Sequence, residues 1–585
     1  MPYSVRETIL MSSESFLPPG ARNQTEVFAV HGADPEILAF AMAKYSRSAL
    51  SMRESLAEIS SQRAEQFLNT FYFQYGHRSI ADLAHIAFAV ERLSLLAAIV
   101  LVDEPRWDGQ ERSTRYQNFL KSGWYIPDFA ADTSSSQLYL QTIDNLFAAY
   151  QSVNASVLEL LRQRVPKPEA LKPEAYERTL RARAFDVARY LLPLATNTSL
   201  GQIVSARTLE TQVSRLLSHP AAEVRNLGAR LREAATCPAW NLNAASAQAF
   251  IARLRAAQAS GVFEAHRLSH AGGTDAAAAL KGHGLSRAND ADKPEGALAP
   301  VASLADEAAA LFMRDVRSAP TLVKYAQPNE YLLQSRAELA QAAEELLAQI
   351  PSQNPDHEVA VDLVPRTETL EVELAATLLY SAGHHSYRQI RDLVASWPDA
   401  RVTEVIELGL RHRGKHDEAL RAFHAGAALR FDILMDIGGF RDMHRHRRCT
   451  QIIQGFTSAH GYENPGSGDL PAGFSILAEA GVLAEYDSAI QSAHKAAAAI
   501  ASGSAPEAAQ SAAYLFPLAT RIRALFKMDF AEAQYISELR SAPAGHFSYR
   551  RIAWEMFLAL QRQHPSLARH IRVTDFTQPI DIFQR

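Results

Sequence analysis

The stretch RFDILMDIGGFRDMHRHRR, residues 430–448, carries the reading of the fold. Its first seven residues alternate in the manner of a strand. From Gly439 the spacing turns helical and runs into a dense basic cluster of Arg441, His444, Arg445, His446, Arg447 and Arg448. The same succession occurs earlier in the chain, where HIAFAVE (residues 85–91) alternates like a strand and residues 93–102 follow with helical spacing, closing on Asp103-Glu104-Pro105. Other landmarks recur in the same order: Tyr45-Ser46 with Tyr380-Ser381, Gly76-His77 with Gly414-Lys415-His416, and Leu192-Pro193-Leu194-Ala195-Thr196 with Phe516-Pro517-Leu518-Ala519-Thr520. The offsets are about 335, 339, 342 and 324 residues, so the order holds while the register drifts by loop-sized insertions. Residues 182–232 and 509–560 are rich in Ala, Leu and Arg and read as helices interrupted at Pro193 and Pro517. The expected fold class is α+β: two tandem helix-rich modules, each with a small sheet and long helices.

Between the halves Ala, Gly, Asp and Pro crowd together without periodicity, as in SHAGGTDAAAALKGHGLSRANDADKPEGALAP (residues 269–300). That places an N-terminal module at 1–264, a linker at 265–305 and a C-terminal module at 306–585. The length of 585 residues suits about four ordinary domains or two large ones. With 47% hydrophobic and 21% charged residues, the chain is neither disordered nor fibrous in composition. Lys+Arg 59 against Asp+Glu 64 leaves a formal charge of −5, so no chain-wide cationic field draws nucleic acid or anionic lipid, and any anion site is local. Two cysteines, Cys237 and Cys449, match no secreted disulfide framework. Residues 1–20 lack a basic-then-apolar leader, and the longest apolar run, residues 95–102, is far shorter than a membrane span. A cytoplasmic protein is expected, with no membrane partner.

The basic cluster at residues 441–448 suits an anion. Arginine's planar fork grips phosphate in pairs of N–H bonds, and several arginines close together suit a diphosphate better than one carboxylate. The same cations also favour a helix C-terminus, or a solvated helix face, without any ligand. RNA is disfavoured because no aromatic residues interleave with the run. In the first half the basic character is lost, but Glu111-Arg112-Ser113-Thr114-Arg115-Tyr116 follows, offering a hydroxyl, backbone N–H groups and a guanidinium in one loop. Downstream stand Arg189, Arg207 and Arg215; Arg540 precedes His546 in a setting like that of Arg215 before His219, whereas Arg189 and Arg207 face Ala513 and Ala531. His384-His385, His424 and the His444/His446 pair lack the companions of a metal site. Cys449 reads as a structural thiol, and no glycine-rich dinucleotide fingerprint is present.

Together these residues resemble the flavin-dependent thymidylate synthases, whose signature runs Arg-His-Arg, seven residues, then Ser-x-Arg. Here the signature is divided: Arg445-His446-Arg447 is followed by Gly455-Phe456-Thr457, while Ser113-Thr114-Arg115 is preceded by Asp103-Glu104-Pro105. Gly76-His77, Ala188 to Pro193, Ala206-Arg207 and Arg215 to His219 also look like the family. The likeness spans about 42–232 and 375–560. It implies thymidylate-synthase-complementing-type modules and the FAD-dependent reductive methylation of dUMP to dTMP, with methylenetetrahydrofolate and NADPH as co-substrates and no cysteine nucleophile. It further implies Arg445, His446 and Arg447, with Arg207, Ser46, Ser381 and His77, as FAD-binding residues. Glu111, Ser113, Arg115 and Arg189 are implied as the nucleotide-binding set, and Arg215 and Arg540 as the catalytic arginines beside the uracil ring. Because the family is tetrameric, two modules per chain imply a homodimer imitating that tetramer, each copy lending what its twin has lost. Two alternatives stand: another flavoprotein acting on a pyrimidine nucleotide, and a non-catalytic nucleotide- or RNA-binding relative.

Overall fold

The computed structural model describes residues 32–44, 78–115, 117–130, 132–259, 304–324, 326–351, 359–414, 417, 419–423, 429–463, 475–503, 507–569, 571–578 and 583. Ser46, His77 and nearly all of the expected linker lie outside the described residues. Two antiparallel sheets are present. The first has the order β1-β3-β2, with β1 His85–Ser94, β2 Asp108–Glu111 and β3 Asn197–Ser205. The second has the order β4-β5-β7-β6, with β4 Val361–Leu363, β5 Leu429–Asp436, β6 Thr450–Ile453 and β7 Arg521–Met528.

The two modules repeat one plan. β1 feeds the helix Leu95–Leu101, and β5 feeds the helix Ile437–Met443. β3 runs into the helix Ala206–Leu217, and β7 leads into Phe530–Ser541. Both strand-to-helix corners expected from the sequence are present. The basic run does not continue the second helix, however: that helix stops at Met443, and His446 and its neighbours lie in the connection to β6.

The segments after Pro193 and Pro517 depart from the expectation of interrupted helices, since they form the central strands β3 and β7. Their composition explains why. Thr198, Leu200, Gln202 and Val204 alternate inward along β3, whereas β7 is covered on both faces, its buried Arg523 and Lys527 being paired with Asp432 and Glu373.

Matching details go down to single bonds. The N–H of Leu95 donates to Thr196 and that of Ile437 to Thr520; the N–H of Leu96 donates to Leu194 and that of Gly438 to Leu518. Gly123 and Gly461 take the same left-handed turn, φ 71° and 68°, each accepting from the first residue of its central strand. Ser94 caps its helix by accepting from Ala97 and donates its hydroxyl to Glu223; Asp436 caps the equivalent helix by accepting from Gly439 and receives the hydroxyl of Ser548. Donor and acceptor have changed places while the bond persists.

The two Pro-Leu-Ala-Thr motifs meet each other. Pro193 and Pro517 face across an antiparallel bridge, and because proline has no N–H, its neighbours carry the bonds. Leu194 donates to Phe516, Ala195 to Tyr514, Leu518 to Leu192 and Ala519 to Tyr190, at 2.9–3.1 Å. Such reciprocal pairing is the mark of a twofold-related contact, here within one chain. Leu192, Leu194 and Leu518 are fully buried in it, and one continuous apolar core crosses from module to module. Burial of each such leucine is worth about 1.5–3 kcal/mol, so the modules are joined by core packing. Residues 314–324 and 326–327 also bond to the first module: Arg314 pairs with Asp34, Ala319 donates to Ala235, and the carbonyl of Ala326 accepts from Arg232. Among the described residues no helix is long and apolar enough to cross a membrane.

Candidate functional site

The seam that joins the modules also gathers most of the charged residues singled out in the sequence. The loop beyond β2 belongs to the first module, and the helix Ile437–Met443 with the loop after it belongs to the second. Arg441 donates to Glu111, and Arg189 donates to Asp442 at 3.1 and 3.2 Å. Arg189 is 1% exposed and its Nε has no acceptor among the described residues; the same holds for Nε of Arg441. A buried guanidinium edge without a partner is costly to leave unsatisfied.

Arg115 is gripped from three sides. Asp186 accepts from its Nε at 2.7 Å and from Nη2 at 3.1 Å, the carbonyl of Ala544 accepts at 3.2 Å, and the Tyr549 hydroxyl accepts from Nη1 at 3.1 Å. Ser113 accepts the backbone N–H of Arg115 at 3.2 Å, the local turn that Ser-x-Arg makes. Arg115 thus spans the modules, with its fork already held by a carboxylate.

The Arg-His-Arg loop contributes three differently placed side chains. Arg445 is exposed. His446 is buried between Glu532, 3.3 Å from Nδ1, and Arg540, whose Nε lies 2.8 Å from Nε2. Burial lowers its pKa, with Glu532 opposing. Arg447 donates to the carbonyl of His444 at 2.7 Å and stacks over the Trp107 ring at 4.8 Å. Burial brings its pKa down to about 10.

Beside this loop lies a cavity of about 130 Å³ lined by Arg421, His444, His446, Arg447, Arg448, Thr450 and the acidic pair Asp103 and Glu104. Burial pushes the Asp103 carboxyl up, but Arg421 and His444, both bonded to it, and the nearby Arg215 outweigh this and hold it well below the usual range. Glu104 goes the other way: burial raises it although Arg215 donates to it at 2.8 Å. Three guanidinium groups against two carboxylates, one of them, Glu104, already paired with Arg215, leave the cavity net cationic. Its size suits a phosphate group and is too small to enclose an aromatic tricycle.

The remaining expected residues are spread more widely. Arg215 sits in the last turn of Ala206–Leu217 against Glu104. Arg540 lies 5.5 Å over the Tyr549 ring, linking His446 to the Arg115 group. Arg207 pairs with Asp82 at 3.1 Å, at the start of its helix and away from the basic loop. Ser381 is exposed, and its hydroxyl donates to the carbonyl of Leu378 in its own helix.

Sequence reasoning passed over Asp186, Asp442, Glu532, Tyr549, Arg421 and Trp107. Asp186 and Asp442 had a visible signal, since each is an acid within three residues of a site arginine. The others have no local pattern and join the site only through tertiary contact. Among the described residues no group of three or more His, Cys, Asp or Glu is placed to hold a metal ion.

Comparison with known proteins identifies relatives of the whole chain. A UPF0159 protein of Chlamydia muridarum is 25% identical over 577 residues, covering 93% of this chain and 91% of the relative. A UPF0159 protein of Chlamydia pneumoniae is 25% identical over 589 residues, covering 94% and 92%. One of Thermoplasma acidophilum is 24% identical over 574 residues, covering 91% and 94%. Among solved structures, the flavin-dependent thymidylate synthase ThyX of Helicobacter pylori, complexed with FAD and dUMP, is 18% identical with a TM-score of 0.21, covering 36% of this chain and 93% of that one. The family model for thymidylate synthase complementing protein matches residues 27–239 and again residues 363–566, one match per module. Those two matches take in well over half of the residues, and the chain belongs to the thymidylate synthase complementing protein family.

Proposed function

We propose that this chain is a flavin-dependent thymidylate synthase-like enzyme that reductively methylates dUMP, using FAD as cofactor and methylenetetrahydrofolate and NADPH as co-substrates. One observation carries the reading. The two halves of the divided signature converge on one seam: Arg441 and Asp442 beside the Arg-His-Arg loop engage Glu111 and Arg189 of the nucleotide set, and Arg115 reaches Tyr549 of the second module. The duplication has then distributed roles between copies, with the phosphate-gripping loop on the second module and the Ser-x-Arg loop on the first.

The donor set fits FAD at its diphosphate. Arg447, Arg448 and Arg421 would hold phosphate oxygens in the cationic cavity, with Arg445 exposed at its margin. When bound, the flavin supplies hydride chemistry. The chain's own work is to orient and to stabilise charge. Arg540, held by His446 and stacked over Tyr549, is positioned to place positive charge beside a pyrimidine ring. Arg215 is the matching residue of the first module, neutralised by Glu104. Ser113 with the loop N–H groups would take the nucleotide phosphate, with Arg115 and Arg189 behind them. The cavity is too small for the flavin ring, which supports completion of the site by a second copy of the chain, a homodimer imitating a tetramer. We place the protein in the cytoplasm, and take 1–264 and 306–585 as the modules with 265–305 as linker, Ser46 and His77 remaining further flavin candidates.

The test is direct: purified protein, dUMP, methylenetetrahydrofolate and NADPH are combined and dTMP is measured, with the flavin spectrum recorded beforehand. Formation of dTMP by yellow protein is the expected result. A second reading, a flavoprotein acting on another pyrimidine nucleotide, is favoured by the occupation of Arg115's fork by Asp186; it is the outcome if flavin is bound, NADPH is consumed and dUMP is not methylated.

A further inference from the structure

We infer that Glu532 is a positioning residue that, through the tautomer of His446, aims Arg540 at the reacting ring; this rests on the proposed function, but its structural half does not. A guanidinium only donates, so the 2.8 Å contact from Arg540 Nε requires a lone pair on His446 Nε2. A neutral imidazole has one N–H, which must then sit on Nδ1, and Nδ1 faces the Glu532 carboxylate at 3.3 Å. Glu532 fixes one tautomer, and the tautomer gives Arg540 its acceptor.

The scaffold makes this specific. Glu532 and Arg540 belong to one helix, Phe530–Ser541, eight residues apart and therefore on one face. Glu532 lies in its first turn, where the helix dipole favours an anion, and its backbone N–H is held by the capping Asp529. His446 is fixed independently, since its carbonyl accepts from Gln451 Nε2 at 2.7 Å. With Nε anchored, neither terminal nitrogen of Arg540 is hydrogen-bonded among the described residues, and the guanidinium lies over Tyr549, whose hydroxyl is bonded to Arg115. The first module holds Thr208 at the position matching Glu532 and Glu104 at that matching His446, so its Arg215 is held by a charge pair and has no such relay.

The experiment has two independent readouts. Nitrogen-15 histidine spectra of the full chain, with the His446 signal assigned as the one lost in His446→Gln, should show an Nδ1–H tautomer in the wild type. Glu532→Gln, whose amide oxygen still accepts, should keep it; Glu532→Ala should move the proton to Nε2 or mix the two forms. An Nε2–H tautomer in the wild type overturns the inference and needs no Glu532 variant to fold. In turnover, Glu532→Ala should lower kcat by about tenfold to a hundredfold, as a displaced catalytic group does, with flavin content kept and Glu532→Gln near wild type. A shifted tautomer with unchanged kcat refutes the positioning role. The expected tautomers without any dTMP from the wild type leave the relay standing and refute the proposed function instead.

Discussion

Removing Asp442 should destabilise the protein far more than removing a typical surface acid, because it strands Arg189. That guanidinium has 2% side-chain exposure and donates two bonds to Asp442, which is 19% exposed; burial pushes the Asp442 carboxyl up, but Arg189, with smaller help from Arg115, Arg445 and Arg441, outweighs this and lowers its pKa. Breaking a buried pair from one side costs about 3–5 kcal/mol, since it leaves the other charge in a poor solvent. The partial exposure of Asp442 and the nearby Asp186 charge place Asp442→Ala at the low end, about 3 kcal/mol by the same reasoning. That corresponds to roughly two powers of ten in the folding equilibrium. Replacing both partners by apolar residues, Arg189→Met with Asp442→Leu, should recover most of the loss, because neither charge then has to be desolvated. Urea unfolding of the wild type, Asp442→Ala and the double variant, followed by fluorescence and circular dichroism, reads the comparison. Equal losses in Asp442→Ala and the double variant would refute the reasoning, as would a single-variant cost below about 1 kcal/mol, the range of exposed pairs.

Other outcomes follow from the same geometry. Arg447→Ala should lose flavin retention by about 1.5–3 kcal/mol, the worth of a charge-assisted contact, while keeping its circular dichroism; unchanged flavin content in purified protein removes Arg447 from the cofactor site. Arg115→Lys, which cannot reproduce the fork on Asp186, should weaken dUMP binding measured by calorimetry with flavin retained, and equal dUMP affinity would detach Arg115 from the nucleotide. His219 is held neutral, its pKa brought down to about 3 by burial and by Arg336, Arg215 and Arg225, while Nδ1 accepts the N–H of Ala221 at 3.1 Å. Because the unfolded chain protonates this ring near pH 6.5 and the folded one does not, its contribution is complete above that pH and is lost as the pH falls towards 3. His219→Gln should flatten the stability profile across that window, and an unaltered acid limb in pH-dependent urea titrations would show that other groups set it.

The legible part of the fold was the part written twice. Strand-to-helix corners at Ser94 and Asp436 were visible because alternation gives way to helical spacing at a capping residue, and that change is local. The central strands were read as helix because Ala, Leu and Arg dominate the segments on either side; what makes β3 and β7 strands is pairing along both edges, which is tertiary. The same division holds in the site. Arginines in short motifs could be picked out, but their assembly depends on which carboxylates arrive from elsewhere: Asp186 on Arg115, Asp442 on Arg189, Glu104 on Arg215.

Those carboxylates give the asymmetry of the chain its physical meaning. In a symmetric pair each Arg-His-Arg loop would face its own copy across the axis, adding like charges in one place, and like charges that close repel in a medium less polar than water. Here Asp103-Glu104-Pro105 stands where the first module would carry the second basic loop, and Asp103 bonds Arg421 and His444 of the other module. The position of the lost motif therefore supplies counter-charge to Arg421, beside the retained basic loop. Restoring cations with Asp103→Arg and Glu104→His should not create a second anion site. It should expel Arg421 from its pocket and loosen the seam. A double variant that folds as stably as the wild type and binds twice the flavin would show that the copies are independent after all.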